Sequence, residues 1–352
     1  MKMKRLYVVL FLVLGMTMPG YCLTAAKKPG TMAELAMYRD ADRQQILEEG
    51  ARKEGKLMFY TTGSFQTFVG PIIEAFKKKY PFIKVDVWRT SNAPLMSRAT
   101  EEFKAGKHTM DVVEGTQSTM VVMQQVGIVQ PFISPNLAQI EDEAKTNATG
   151  GGALAVAFRS SGIGFGYNTK MLSKDQLPKT YQDLLDPKWR GKLAIAGSTG
   201  VNWLSAIYRN LGEDLLKKIA AQNFPVQMVS AVALVEIVAA GEYVASPTLI
   251  DATVYVSKLK GATVAWVPLE PVRVLTGQIA VAKHAPNPHA ALLFADFEIS
   301  KEGGEILRGL GYGSFREDVA PVGQHYKKYF GIDTMEAVRE EQDLFNKLFL
   351  KK

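Results

Sequence analysis

The chain has 352 residues, with 42 Lys and Arg against 35 Asp and Glu, and one cysteine, Cys22. The basic surplus is scattered, and its longest run, Lys77-Lys78-Lys79, reads as a solvated helix face, so no nucleic-acid partner is expected. A single cysteine excludes internal disulfides and thiolate metal cages.

Lys2, Lys4 and Arg5 precede the apolar run Tyr7–Met18, followed by Pro19-Gly20 and the small residues Thr24, Ala25 and Ala26. This order predicts a secretory signal peptide over 1–26, cleaved after Ala26. The run is too short to span a bilayer, which takes about 20 apolar residues. An uncleaved interfacial helix and lipid attachment at Cys22 are the alternatives, and Pro19-Gly20-Tyr21 makes a poor lipidation site. Removing 1–26 leaves 39 basic and 35 acidic residues and no cysteine, which excludes a thiol nucleophile. An exported chain without cysteine fits a bacterial periplasm better than a disulfide-stapled secretion product. What remains exceeds one typical domain, so two lobes are expected.

Residues 27–54 read as a polar helical lead-in stopped by Gly55. Strand 57–61 follows, then a helix over 65–80 ending before Pro81, strand 83–88 and helix 93–107. Strand 111–113 and helix 117–126, stopped by Gly127, complete an alternating pattern, which predicts a mostly parallel sheet flanked by helices. Gly150-Gly151-Gly152 precedes strand 153–159, and 163–168 continues extended. Then come strand 193–196, helices 201–210 and 214–221, strand 227–229 and helix 231–240 closed by Gly241. Strand 244–250 is expected to be interrupted by Pro247. Helix 252–260, strands 263–267 and 274–282, helix 288–300 and a charged helical tail over 323–352 close the chain.

No catalytic signature is present: there is no G-x-S-x-G, H-E-x-x-H or P-loop. The glycines of Gly162-Ile163-Gly164-Phe165-Gly166 sit in an extended segment with the wrong spacing for a dinucleotide fingerprint. His284 and His289 flank Ala285-Pro286-Asn287-Pro288 and read as solvated or capping residues. No enzyme activity, cofactor or metal site is expected.

The ordered series Gly55–Thr62, Phe76–Trp88, Glu101-Glu102-Phe103, Asp111-Val112-Val113, Gly166–Thr169, Tyr181–Leu193, Ala239–Glu242, Asn287–Ala291 and Ser300–Gly304 resembles the periplasmic solute-binding proteins of ABC importers. Within these it is similar to the type II fold branch near the ferric-ion-binding proteins. Each segment is weak alone, and their order over 55–316 carries the likeness. The resemblance implies two α/β lobes, 55–155 plus 271–322 and 156–270, with crossings near Leu154–Arg159 and Pro268–Arg273. It implies closure over a solute without catalysis, and delivery to ABC permease subunits in the inner membrane by a monomer. The family's ferric ligands, a His, a Glu and two adjacent Tyr, fall by local matching on Ser64, Thr116 and Asp251-Ala252-Thr253. Ferric iron prefers anionic oxygen donors, so this argues against the bare ion and leaves an iron chelate open. Tyr243 and Tyr255 read as core or cleft-wall aromatics.

In open α/β sheets ligands collect where strands end and helix N-termini present free N–H groups, which favour anions. Thr61, Thr62, Ser64, Thr116, Ser198, Thr199, Ser230, Ser246 and Asp251 stand at such ends. Helix capping is the rival explanation for each, and the two are compatible. Arg159 ends an apolar strand and offers a planar fork to a carboxylate or phosphate. An ion pair, with Glu114 as one partner, is its rival role, and Arg273 is a second cationic candidate. Asn202 and Trp203 are expected on the second wall. A small anionic solute is the first expectation. A ferric chelate or polyamine is the alternative within the fold, and an envelope enzyme or sensor the alternative outside it.

Overall fold

The computed structural model describes residues 28–320, 325–331 and 334–350. The expected signal peptide, Cys22 and the outer ends of the expected tail lie outside them. The first half runs α1 (Met32–Ala36), α2 (Arg43–Glu54), β1 (Lys56–Thr61), α3 (Gly70–Lys79), β2 (Lys84–Arg89), α4 (Asn92–Lys104), β3 (Val112–Gly115), α5 (Gln117–Val126), β4 (Val129–Gln130), β5 (Lys145–Asn147) and β6 (Ala153–Asn168). The second half runs β7 (Ile195–Ala196), α6 (Gly200–Leu211), α7 (Glu213–Ala220), β8 (Val226–Gln227), α8 (Ala231–Ala240), β9 (Ala245–Ile250), α9 (Asp251–Leu259), β10 (Val264–Val267), β11 (Val272–Ala282), α10 (Pro288–Glu298), α11 (Lys301–Gly309), β12 (Lys328–Tyr329) and α12 (Met335–Phe345).

One mixed sheet runs through the molecule in the order β10-β6-β11-β3-β1-β2. β1 is parallel to β2 and β3, while β11 is antiparallel to both β3 and β6. The long strands β6 and β11 pair from Arg273 opposite Ile163 to Ile279 opposite Val156, with a bulge between Gly277 and Gln278. Packing changes over along them. Val156, Ala157, Phe158 and Ile279 belong to one apolar core with β1, β3 and α10. Ile163, Phe165 and Leu275 pack instead with Trp189, Trp203 and Leu204. This makes a two-lobed α/β fold whose lobes share two antiparallel strands.

Local chemistry explains where elements depart from the expected pattern. The single lead-in helix is two: Thr31 makes a capping box with Glu34 on α1, and a turn at Asp40 and Asp42 restarts the chain as α2. The helix expected from Phe65 begins as a wide turn over 65–69, because Pro71 has no N–H to donate back to Thr67. β9 runs straight through Pro247. Its pairing with β6 shifts register between Gly164 and Gly166, so the residue without an N–H falls in the irregularity. The helix expected over 288–300 ends at Glu298, and Ser300 caps a new one, α11, by accepting from the Gly303 N–H at 3.1 Å. The tail is a short strand and then a helix, with β12 parallel to β11. Among the described residues no helix is long and apolar enough to cross a membrane.

Candidate functional site

A cleft of about 850 Å³ opens where the strand ends and helix starts of the two lobes face each other. From the first lobe it receives the residues after β1 (Thr62, Gly63, Ser64), the end of β2 and start of α4 (Arg89 to Asn92), and the start of α5 (Thr116 to Ser118). From the second it receives Gly197, Ser198, Thr199 and Asn202 at α6, and Ser230 at α8. Arg159, Ser161 and Arg273 to Thr276 of the shared strands form its floor.

The rivalry between capping and ligand exposure divides these hydroxyls. Ser230 caps α8, accepting from the Ala233 N–H at 3.2 Å. Ser91 and Thr116 precede α4 and α5 in extended conformation, and their side chains accept no backbone N–H of their helix. The Thr116 hydroxyl instead lies 2.9 Å from that of Ser118. Thr199 leaves the start of α6 uncapped, its hydroxyl donating 2.8 Å to the Thr248 carbonyl. Uncapped first turns present N–H groups and the positive end of the helix dipole to the cleft.

Of the sequence-predicted residues, Thr62, Ser64, Thr116, Arg159, Ser198, Thr199, Asn202 and Ser230 are brought together here. Thr61, Ser246 and Asp251 are not. Thr61 is fully buried and donates 2.6 Å to Glu114. Ser246 is fully buried on β9, 2.9 Å from the Thr248 hydroxyl. Asp251 turns inward, accepting from the Ala252 N–H at 2.6 Å, with the Tyr326 hydroxyl 3.5 Å away. Trp203 is a correction: it is fully buried in the second core, edge-on to Phe349, and not on the wall. Tyr243 accepts from Gln227 at 2.8 Å, and Tyr255 is 39% exposed; neither lines the cleft.

Arg159 is ion-paired with Glu114. Burial opposes its charge, but Glu114 outweighs that and holds the guanidinium above its ordinary pKa. Glu114 is wholly buried, and its other oxygen accepts from the Thr62 and Gly63 N–H groups at 3.1 Å each as well as from Thr61. Gly277 stands opposite Arg159 in the register, and a Cβ there would fall 2.5 Å from the guanidinium carbon. Only glycine leaves room for this side chain.

Arg89 is the functional candidate that sequence reasoning missed. It ends β2, is exposed, and its Nε donates 2.8 Å to the Gly63 carbonyl. It has no carboxylate partner among the described residues. The strand-end rule that picks out Thr61 and Thr116 also picks out Arg89, so the signal was present. Glu341 of α12 is the one carboxylate among the described lining residues.

A two-lobed molecule with a polar interlobe cleft and uncapped helix starts has the form of a solute-binding protein. Residues 108–329, well over half of the chain, match the family described as bacterial extracellular solute-binding protein. The chain belongs to that family. Its fold is shared with the substrate-binding protein of an ABC transporter from Agrobacterium tumefaciens, at TM-score 0.71 and 20% identity over 85% of this chain and 95% of that one. It is also shared with fructose-6-phosphate-bound AfuA from Actinobacillus pleuropneumoniae, at TM-score 0.66 and 20% identity over 85% and 100%. Iron-bound HitA from Pseudomonas aeruginosa matches at TM-score 0.65 and 19% identity over 83% and 99%. The protein is therefore a bacterial extracellular solute-binding protein, and membership of that family implies a periplasmic location.

Proposed function

We propose that the cleft captures a small anionic solute, that the lobes close on it about the shared strands, and that a monomer hands it unchanged to an inner-membrane ABC permease. The ligand stabilises whichever lobe arrangement gives it more contacts, and a permease reads that arrangement. The observation that carries the reading is the charge pattern of the cleft. Among the described residues, Arg89 has no acidic partner, the starts of α4, α5 and α6 carry no side-chain cap, and one carboxylate lines the cleft. A phosphate or carboxylate supplies the acceptors those N–H groups lack.

The iron named for HitA does not transfer easily. Among the described residues the cleft offers one phenol, Tyr312, and one carboxylate, Glu341, against a row of neutral hydroxyls. Ferric iron needs several anionic oxygens. Among the described residues no cluster of three His, Cys, Asp or Glu is arranged to hold a metal. Iron held by a carboxylate chelator would present itself as an anion and belongs in the test.

Isothermal titration with phosphate, glycerol 3-phosphate, fructose 6-phosphate, citrate, ferric citrate and spermidine tests this. At least one anion should bind at about micromolar affinity or tighter, near −8 kcal/mol. Arg89→Ala should weaken it by about 1.5–3 kcal/mol, the range for a charged hydrogen bond. Binding of spermidine alone, or of uncomplexed ferric ion alone, overturns the anionic reading. Recovery of a chemically altered solute overturns the non-catalytic one.

A further inference from the structure

We infer that the C-terminal helix α12 is a wall of the solute site and sets how large a solute the cleft admits. The inference rests on reading the cleft as the solute site. The match to the solute-binding family ends at residue 329, so α12 lies outside it. Val338, Glu341 and Gln342 of this helix line the cleft. Their spacing of i, i+3 and i+4 puts them on one helical face, so a single side of α12 is turned to the site.

The helix is fixed to the second lobe. Arg209 of α6 donates to Glu341 at 3.0 Å and to Glu340 at 2.5 Å, and Tyr208 donates to Glu340 at 2.7 Å. One turn on, Phe345 is almost fully buried in the second core, and Phe349 lies beside Trp203. The segment before the helix reaches the other way. β12 pairs with the shared strand β11, and the Phe330 ring lies 6.3 Å from Phe315, which belongs to the first core. Phe330 also lines the cleft. Residues 328–330 thus meet the shared strand and the first core, while α12 is held by the second lobe and presents one face to the cleft. Val338 and Gln342 are exposed, one apolar and one amide, and the Gln342 amide donates 2.9 Å to Asn346 one turn on. Their exposed side chains form a stop for the part of the solute beyond its anionic head.

The test compares full-length wild type with Val338→Trp and Gln342→Ala, and with Arg339→Ala, an exposed residue that does not line the cleft. Melting temperature is read without additive, with inorganic phosphate, with fructose 6-phosphate, and with a protein-free bacterial small-molecule extract. Affinities follow by titration. Val338→Trp should lower affinity for the longer solute at least tenfold more than for phosphate, and Gln342→Ala should narrow the gap between them. Arg339→Ala should match wild type. If Val338→Trp does not fold, Gln342→Ala carries the comparison alone. Unchanged relative affinities in folded Val338→Trp and Gln342→Ala overturn the inference. If wild type answers the extract but neither defined anion, the extract becomes the probe, and a response of Val338→Trp and Gln342→Ala equal to that of wild type overturns the inference. A wild type that answers nothing overturns both.

Discussion

Asp251 opens α9 beside the shared strand β6, and it should make stability fall as pH rises. Burial pushes its carboxyl from the ordinary 3.8 up to about 7, and the Gly162 and Ala252 N–H groups and the Tyr326 hydroxyl only partly offset that. In the unfolded chain the group ionises near its ordinary value. Between about pH 4 and pH 7 the native state therefore holds a proton that the unfolded state has released, and stability declines with pH across that window. A shift of about three units at 1.36 kcal/mol each sets an upper limit of about 4 kcal/mol. The stabilisation is fully present below about pH 4 and lost by about pH 7. Asp251→Asn keeps a carbonyl acceptor for the N–H groups and cannot ionise. Urea denaturation of wild type and variant at steps from pH 4 to pH 8 isolates this residue, because every other titrating group cancels in the difference. The wild type should lose up to about 4 kcal/mol relative to the variant across the series. A difference that stays flat with pH would refute the reasoning.

Two packing predictions follow. A Cβ on Gly50 of α2 would fall 2.2 Å from the His289 ring on α10, whose Nδ1 sits 2.6 Å from Glu54. Gly50→Ala should therefore cost about 1–3 kcal/mol in denaturant titrations, as overpacking does, although alanine favours the helix. An unchanged or raised midpoint would show that the ring moves aside freely. Phe345 is 2% exposed and stacks on Phe349 at 5.3 Å. Phe345→Ala should lower stability by about 3–5 kcal/mol, seen as a lower melting temperature. No loss would mean that α12 contributes nothing to the second core.

The sequence made the repeating units legible where both ends of an element carry chemistry. α5 and α8 run over the expected residues: Ser230 caps the start of α8, and Gly127 and Gly241, at φ 79° and 87°, end both helices in a conformation that favours glycine. Side-chain direction was less legible. Thr61 and Thr62 look equivalent as letters, but β1 ends between them and only Thr62 stands in the loop that borders the cleft. Thr61 is buried against Glu114 while Thr62 reaches the cleft. Trp203 and Asn202 divide the same way on α6, one in the core and one at the cleft. Asp251 was placed correctly at a helix start, but pairing of β9 with β6 turns it to the hinge rather than the solute.

The two arginines show why the charge of a cleft is a question about partners and not about letters. Arg159 has the stronger sequence argument, since it follows the apolar run 153–158, although the strand expected to end there continues as β6 to Asn168 and places it within the floor of the site. Its charge is answered by Glu114, which is itself held by Thr61 and two backbone N–H groups. Pulling a solute onto Arg159 would mean competing with a buried ion pair, and separating one leaves an uncompensated charge that costs several kcal/mol. Arg89 faces no such competitor, and its Nε is already steadied by the Gly63 carbonyl, so its remaining donors are aimed without further loss of side-chain freedom. The ion pair then serves the site at one remove. Glu114 holds the N–H groups of Thr62 and Gly63, and so fixes the loop whose Gly63 carbonyl holds Arg89. The residue most visible in the sequence organises the floor, and the proposed anion is expected to meet Arg89 at the end of β2.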